Sequence, residues 1–374
     1  MSVFLRSILL LLVVTLMLAC SPRRGYEALL LLGDVASGDG PSRLKAASLE
    51  PERLKLRFPI SGGFIGGDLY LPGSAPAAGI LLVPGAAEAG KDDPRLMAFA
   101  RSLARARFVV LVPDLESIRL LEVRGENADE IAAAFRWFRG RSDLVPHERF
   151  GMMAFSYAVG PTLIAAMQPA PAEEVDFVVG VGGYYDLRAV MTFFTTGWFR
   201  DGDAWRQRAP NLYGKWVFIE GNLHRLAEPG DRTRLAAMAQ RRKADPAAPI
   251  EDLAAGLTAE GAALYRFIVN TDRERAPELI DGLPEFLRRE IAALDLADKD
   301  LGRLRARLIL VHGLDDPIIP YTESRNLKAA LRPDQAELFL VRGLMHVDVT
   351  PGLVGSWRMW RAVVTLLRER DAGA

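Results

Sequence analysis

The sequence of 374 residues has little that would point to disulfide, metal or nucleic-acid chemistry. It contains one cysteine and four histidines, and its 47 basic side chains are balanced by 47 acidic ones. A single cysteine excludes an intrachain disulfide framework and a metal site built from several cysteines. Balanced charge without a long basic run removes the usual electrostatic footprint for nucleic acid. We therefore expect no nucleic-acid partner.

Hydrophobic residues, by contrast, make up half of the chain. That fraction is enough for a sizeable core in one large domain or in two ordinary ones. The sequence therefore predicts a globular protein. It does not indicate an oligomeric state.

The single cysteine, Cys20, ends an apolar N-terminal segment. The apolar run at residues 8–18 is shorter than the ~20 residues that a spanning helix needs. The segment resembles a bacterial lipoprotein signal, which implies a signal at residues 1–20, a lipid anchor at Cys20 and a place in the outer membrane facing the periplasm. Met17 and Leu18 depart from the lipoprotein pattern, and Arg23 and Arg24 disfavour translocation, so an uncleaved anchor, simple secretion and an incorrectly assigned start stay open.

Four further segments follow along the chain. Residues 21–52 are rich in Gly, Ser and Asp towards their end and read as a tether, with a short apolar stretch that could dock as a helix. Residues 53–186 open with the alternation of an antiparallel hairpin and continue as apolar runs and helical patterns in turn. Residues 187–300 are mainly helical, and the alternation resumes in residues 301–374.

This alternation predicts an α/β fold with a mostly parallel central sheet and helices on both faces. The short apolar runs are bounded by Gly, Pro or Asp, as is typical of parallel strands that are buried on both sides. Because the alternation stops at residue 187 and returns after residue 300, we interpret the interval as an inserted helical cap.

Two motifs with catalytic or binding associations are weak. The stretch GAAEAGKD, Gly85–Asp92, lacks the hydroxyl residue that ends a phosphate-binding loop, and Asp92 brings negative charge there instead. Asp92 or Asp93 before Pro94 is better explained as a helix start. The stretch SRLK, Ser42–Lys45, matches the Ser-x-x-Lys of penicillin-recognising enzymes, but the companion Lys-Thr-Gly and Ser-Asp-Asn motifs do not follow.

A third set of residues indicates nucleophilic catalysis. Ser156 follows the apolar run FGMMAF, Asp316 comes three residues after Gly313, and His346 comes three residues after Gly343. A hydroxyl becomes a useful nucleophile when a base removes its proton and a third group orients that base. Each of the three residues follows an apolar strand pattern, so all three are expected at one edge of the sheet.

In this order and setting, the residues resemble the α/β-hydrolase family over roughly residues 55–370. The resemblance implies Ser156 as nucleophile, His346 as base and Asp316 as the acid. It also implies oxyanion donors at the backbone N–H of Tyr157 and at Ala86 or its neighbour Ala87. No metal and no organic cofactor are implied. The sequence departs from the family pattern at Ala154 and Ala158, where glycines are usual.

Alternatives remain for each triad position. Ser156 could instead cap a helix through local hydrogen bonds, and Asp315 adjoins the acid. The other histidines have non-catalytic explanations: His312 is a structural residue in the strand turn, His147 lies at the opposite edge of the sheet and His224 lies in the cap.

Aromatic residues in the cap are candidates for an acyl or hydrophobic alcohol pocket. They are Phe193, Phe194, Trp198 and Phe199. The same spacing also suits a small packed helical core. We therefore expect a membrane-anchored serine hydrolase that acts on a small-molecule acyl substrate. The alternative is a non-catalytic envelope protein that keeps the fold as a binding or scaffolding module.

Overall fold

The structure is a computed structural model. It describes residues 22–60, 63–169, 174–345, 348–349 and 353–372. The predicted signal segment and Cys20 lie outside the described residues. Within the described part, no helix combines the length and the apolar character needed to cross a membrane.

An eight-stranded sheet forms the centre, with strand order β1-β2-β4-β3-β5-β6-β9-β10. Its strands are β1 (Glu52–Ile60), β2 (Gly63–Leu71), β3 (Ala78–Val83), β4 (Phe108–Pro113), β5 (Phe150–Phe155), β6 (Phe177–Val181), β9 (Arg307–Gly313) and β10 (Ala336–Val341). The first two form the predicted antiparallel hairpin, β2 is antiparallel to β4, and the remaining pairs are parallel. Every residue of β3 and β4 is buried, because helices cover both faces.

Helices cover the sheet on both sides, as the alternation predicts. They are α1 (Pro22–Ser37), α2 (Arg43–Ala47), α3 (Pro94–Arg105), α4 (Glu116–Arg119), α5 (Glu126–Arg139), α6 (Val159–Ala166), α14 (Tyr321–Ala330) and α15 (Leu353–Asp371). One apolar core contains side chains of α5 and α6 and extends into the cap. The other core contains side chains of α1, α3 and α15.

The segment predicted as a tether contains the possible docking helix, α1, and is folded onto the core through it. Ser42 caps α2 by accepting a hydrogen bond from the N–H of Lys45 at 3.0 Å, and the Lys45 ammonium donates to the carbonyl of Gly38 at 2.7 Å. Asp34 is fully buried and accepts from Ser102 of α3 at 2.7 Å. The Ser-x-x-Lys stretch therefore serves helix capping and docking.

Between β6 and β9 the chain forms the insertion, which is not purely helical. It comprises α7 (Leu187–Thr196), β7 (Trp198–Asp201), β8 (Ala204–Gln207), α8 (Leu212–Asn222), α9 (Pro229–Ala244), α10 (Glu251–Ala254), α11 (Ala259–Ile268), α12 (Ala276–Asp281) and α13 (Glu285–Leu294). Strands β7 and β8 pair as an antiparallel hairpin that the sequence analysis missed. The stretch KWVFIEG, residues 215–221, belongs to α8 although its apolar run would also suit a strand.

Helix α6 lies unusually close to the segment that follows β6. A methyl group built on Gly160 of α6 would lie 2.0 Å from the hydroxyl oxygen of Tyr184, and one on Gly183 would lie 2.4 Å from Val159. Real side-chain carbons do not approach that closely, so only glycine fits at either position. Tyr184 is fully buried, and its hydroxyl donates to the Leu294 carbonyl of the cap at 3.1 Å.

A buried carboxyl group fixes the same segment from the other side. Glu323 of α14 is 4% exposed and accepts hydrogen bonds from the backbone N–H groups of Tyr185 at 3.1 Å and Asp186 at 2.8 Å. Burial raises the pKa of Glu323 to about 8, and the nearby Asp186 and Asp295 carboxylates add to the increase. Glu323 is therefore protonated in the folded protein at neutral pH.

Replacing Gly160 by alanine should destabilise the protein, although alanine is the better helix former. The close contact with Tyr184 should cost about 1–3 kcal/mol of unfolding free energy, as overpacked core sites do. The matched control is Gly33→Ala in α1, where nothing lies within 4 Å of the added carbon. There, we expect a gain of up to about 1 kcal/mol. Urea unfolding followed by circular dichroism measures both, and a Gly160→Ala variant as stable as wild type would contradict the packing described.

Glu323→Gln should remove a pH dependence of stability. Below the unfolded-state pKa, near 4.5, Glu323 is protonated in both the folded and the unfolded state, and its contribution to the unfolding free energy is complete. That contribution is lost as pH rises to the folded-state pKa of about 8. The slope is at most about 1.4 kcal/mol per pH unit. Unfolding free energies from pH 5 to 9 should fall less steeply in Glu323→Gln than in wild type. The exposed Glu285→Gln serves as control, and parallel curves for wild type and Glu323→Gln would refute the assignment.

Candidate functional site

Ser156 occupies a sharp turn between strand and helix. Strand β5 ends at Phe155, a single 3₁₀ turn covers Ser156–Ala158, and α6 begins at Val159. The φ angle of Ser156 is 57°, in the left-handed region that residues other than glycine seldom adopt. Its side chain is half-buried. A left-handed serine between a strand and a helix has the backbone conformation of a nucleophile elbow.

Ala154, one of the two alanines that flank Ser156, is accommodated by a glycine on the neighbouring strand. Ala154 pairs in register with Gly180 of β6. Paired residues of parallel strands point to the same face, so the missing side chain at Gly180 leaves room beside the Ala154 methyl. A methyl on Gly180 would itself lie 3.0 Å from Val159 of α6. The sheet therefore allows the close approach of α6 without a glycine at position 154.

Tyr157 combines a main-chain donor with an anchored side chain. Its hydroxyl donates to Asn127 Oδ1 at 3.0 Å and accepts from the N–H of Arg124 at 3.3 Å. Burial raises the pKa of Tyr157, so this hydroxyl stays protonated. These bonds hold Tyr157 in place directly after Ser156. The backbone N–H of Tyr157 is the first candidate oxyanion donor.

The loop with the second candidate donor lies against the serine turn. A methyl on Gly85 would be 3.8 Å from Ser156 Cβ and 3.5 Å from the Phe155 carbonyl oxygen. Ala86 and Ala87 follow directly and are exposed or half-buried. The structure thus brings Ala86 and Ala87 to the Ser156 edge, without deciding which of them is the donor.

Charged side chains brace this loop. Arg119 donates to the Glu88 carbonyl oxygen at 3.0 Å. Lys91 pairs with Asp92 at 2.6 Å and lies 3.7 Å from the fully buried Asp68 of β2. Because Lys91 is committed to carboxylates, the stretch is not arranged to hold a phosphate.

The start of α3 follows the same loop. Asp93 caps the helix by accepting from the N–H of Arg95 at 2.8 Å, with Pro94 in the first turn. The prediction that Asp92 or Asp93 begins a helix is confirmed, and the residue is Asp93.

Asp316 lies in the turn after β9, near the carboxyl end of the sheet. Its side chain is fully buried, and its Oδ1 accepts from the N–H groups of Ile318 at 2.8 Å and Ile319 at 3.1 Å. Phe155, Val181 and Val311 are paired across β5, β6 and β9. The ends of β5 and β9 are therefore two strand spacings, about 10 Å, apart.

The cap is bonded to the loop that carries this acid. Arg208, just after β8, donates to the carbonyl oxygen of Asp316 at 3.1 Å. The N–H of Asn211 donates to the Pro317 carbonyl at 3.0 Å. The loop that carries Asp316 is thus held both by hydrogen bonds within its own turn and by hydrogen bonds from the cap.

Asp315 has a different role from Asp316. It is exposed, and its Oδ2 accepts from the N–H of Gly343 at 3.3 Å, which links the loop after β9 to the loop after β10. A methyl on Gly313 would lie 1.8 Å from the Leu344 carbonyl oxygen, so the two loops touch. This arrangement favours Asp316 over Asp315 as the acid of the site.

His346, the candidate base, lies outside the described residues. The flanking chain is described: β11 (Leu344–Met345) pairs with β12 (Asp348–Val349) in an antiparallel hairpin. The described residues on either side of the candidate base thus form a hairpin, and its first strand contacts the loop after β9 at Gly313. The meeting of its imidazole with Ser156 and Asp316 stays a prediction.

The other histidines lie in less suitable places. His312 is fully buried, with Nδ1 2.7 Å from Ser324 Oγ and Nε2 2.9 Å from the Ile319 carbonyl oxygen. His147 is exposed before the start of β5, at the opposite edge, and His224 lies in the cap, 3.8 Å from Glu122. Among the described residues, no group of three His, Cys, Asp or Glu side chains is arranged to hold a metal ion.

The aromatic candidates mainly pack the cap. Phe193 is fully buried and meets Phe199 edge-to-face at 5.6 Å between ring centroids, and Phe194 packs on Phe218 at 5.9 Å. The Arg273 guanidinium lies 4.8 Å from the centre of the Trp198 ring. These contacts correspond to the packing alternative and leave the role of an acyl pocket as a prediction.

Comparisons with known proteins bear on the fold. No protein-family model matches the chain, and no curated protein matches it. A solved structure from Legionella pneumophila matches with a TM-score of 0.54 and 11% identity, over 87% of this chain and 90% of that one. A puromycin-hydrolyzing peptidase of Mycobacterium tuberculosis matches with a TM-score of 0.51 and 15% identity, over 89% of this chain.

The present chain spans about two fifths of the larger enzymes, 40% of the Mycobacterium peptidase and 41% of an acylaminoacyl peptidase from Pyrococcus horikoshii. Identities this low relate shapes and not activities. The chain has the α/β-hydrolase fold, as the strand order, the antiparallel β2, the turn at Ser156 and the matches to the Legionella and Mycobacterium structures show together.

Proposed function

We propose that the chain is a serine hydrolase that cleaves an ester or a related acyl bond. The observation that carries the proposal is the left-handed backbone of Ser156 at the end of β5, beside the Gly85 loop. A serine that merely capped α6 would have no need of this strained conformation.

In the proposed reaction, Ser156 Oγ attacks the carbonyl carbon of the substrate while His346 removes its proton. Asp316 orients the imidazole and stabilises its positive charge. The negative charge on the substrate oxygen is held by the N–H of Tyr157 and by an N–H at Ala86 or Ala87. His346 then protonates the leaving group, and water, activated by the same base, releases the acyl group from Ser156.

Several contacts support preorganisation of this site. The Tyr157 side chain, the Glu88 carbonyl and the Asp316 carboxylate are each held by hydrogen bonds from neighbouring elements. Donors that are fixed before substrate binds need not reorganise as charge develops, and this is a large source of rate enhancement. An ester or lipid-like acyl compound remains the first candidate substrate, with thioesters, lactones and peptides as further members of the class.

The cellular setting belongs to the same proposal. The apolar run at residues 8–18 and Cys20 support attachment to the cell envelope through a lipid on the cysteine, with the catalytic domain in the periplasm. Attachment at this point would leave few residues between the membrane and α1, which begins at Pro22.

Ser156→Ala should abolish labelling by a fluorophosphonate probe, because the probe forms a covalent bond only with an activated serine oxygen. Wild type should label in a time-dependent manner, as read by in-gel fluorescence. Ser142→Ala, at an exposed serine far from the turn, is the control and should label like wild type. Wild type that is folded by circular dichroism and takes up no probe would contradict the proposal and favour a non-catalytic scaffold.

Asp316→Asn should lower kcat for a p-nitrophenyl ester by about 10³–10⁴-fold, because the amide cannot hold the imidazole in the required tautomer. The asparagine oxygen can still accept from Ile318 and Ile319, so the loop should keep its shape. Asp315→Asn is the matched control, and we expect a loss smaller than tenfold.

The pair of variants also decides the identity of the acid. A large loss in Asp315→Asn together with near wild-type kcat in Asp316→Asn would overturn the assignment of Asp316. Thermal unfolding of both variants shows whether a loss of activity reflects a loss of folded protein.

A further inference from the structure

Exposed apolar side chains lie on the first and the last helix of the described residues, α1 and α15, which pack against each other. Tyr26 and Leu29 of α1 are each 58% exposed, and Val354 and Trp357 at the start of α15 are 69% and 57% exposed. We call these four residues the α1–α15 patch. Large apolar side chains rarely cluster in water on a monomeric protein, and where they do they usually mark a contact surface.

Trp360 joins the two halves of the patch. Its indole N–H donates to the Gly25 carbonyl oxygen at 2.8 Å, and its ring stacks on Trp357 with centroids 4.5 Å apart. A methyl on Gly25 would lie 3.1 Å from the Trp360 ring, so the absence of a side chain there admits the indole. The exposed Trp357 thus rests on a ring that is fixed to α1.

Ion pairs hold the two helices together behind this surface. Arg24 pairs with Asp371 at 3.0 Å, and Arg370 binds Glu27 through a second guanidinium nitrogen at 2.9 Å. Arg370 is 3% exposed and also donates to the Ala106 carbonyl oxygen at 2.8 Å. The patch is therefore a firm part of the domain surface rather than a loose terminal helix.

The sequence outside the described residues indicates what covers the patch. The apolar run at residues 8–18 ends four residues before Pro22, and four residues span at most about 14 Å. A bilayer that holds either this run, as an uncleaved anchor, or a lipid on Cys20 must therefore lie close to the start of α1. Three exposed arginines on the same two helices, Arg23, Arg358 and Arg361, suit anionic headgroups.

We propose that the α1–α15 patch rests on the lipid bilayer, with Tyr26, Leu29, Val354 and Trp357 at the level of the headgroups. Tyrosine and tryptophan favour this interface, and leucine and valine gain from leaving water there. The contact fixes the orientation of the domain on the membrane, which a tether alone would leave free. This inference goes beyond the proposed hydrolase activity, and it rests on the proposed attachment to the cell envelope.

The test uses quenching of tryptophan fluorescence by brominated lipid. The full chain is reconstituted in vesicles of phosphatidylethanolamine and phosphatidylglycerol at about three to one, with and without dibrominated phosphatidylcholine. Wild type should show bromine-dependent quenching, and Trp357→Phe should lose most of it. The control Trp205→Phe, in the cap hairpin, should keep it.

A second pair of variants tests the α1 half of the patch. Tyr26→Ser combined with Leu29→Ser should reduce the bromine-dependent quenching at least ~2-fold, because half of the apolar contact is removed. The matched control combines Leu54→Ser with Phe64→Ser, which are also exposed but lie on β1 and β2. All variants should keep fluorophosphonate labelling equal to that of wild type, which separates this test from that of the hydrolase proposal.

Quenching that is equal in wild type and Trp357→Phe, or absent from both, would overturn the proposal. Sedimentation in detergent then identifies the alternative occupant. A dimer that the Tyr26→Ser and Leu29→Ser changes dissociate assigns the patch to a second copy. A monomer whose patch stays unquenched assigns it to the apolar N-terminal run of the chain itself.

Discussion

The candidate site depends on the tight reversal of the chain at Ser156. The left-handed backbone there requires α6 to begin immediately and to pass close to β6 and the segment after it. That approach leaves no room for a side chain at Gly160 or Gly183. The strain at one residue is therefore maintained by packing at others, and a well-packed core can hold a backbone conformation that would cost of order 1–3 kcal/mol by itself.

Three loops meet this turn or approach it along the carboxyl edge of the sheet, and each is fixed by a different kind of contact. A guanidinium bonded to a carbonyl braces the loop after β3, two backbone N–H groups fix the Asp316 carboxylate, and the contact of Gly313 with Leu344 joins the last two loops. The main chain thus supplies most of the positioning. This explains how an edge assembled from distant parts of the sequence can keep one geometry.

The sequence predicted the features that depend on local periodicity and not those that depend on contacts between distant residues. The parallel sheet, the opening hairpin and the α3 cap follow from patterns within a few residues. The glycine that accommodates Ala154 lies at position 180, on another strand, and no spacing rule connects the two. For the same reason, the hydrogen bond from Ser102 that docks α1 through Asp34 was not predicted. The β7–β8 hairpin is local, but its strands have only four residues each and lie in an interval whose other patterns are helical, so it was missed. The positions of Ser156 and Asp316 follow the predicted strand ends, whereas that of the His346 side chain stays a prediction.

The cap donates two hydrogen bonds to the loop after β9, from Arg208 to the Asp316 carbonyl and from Asn211 to the Pro317 carbonyl, and both bear on how a substrate reaches the site. A substrate that enters by lifting the cap must first break both of them. In the proposed reaction, access to Ser156 and the ordering of the Asp316 loop would therefore depend on the same two hydrogen bonds.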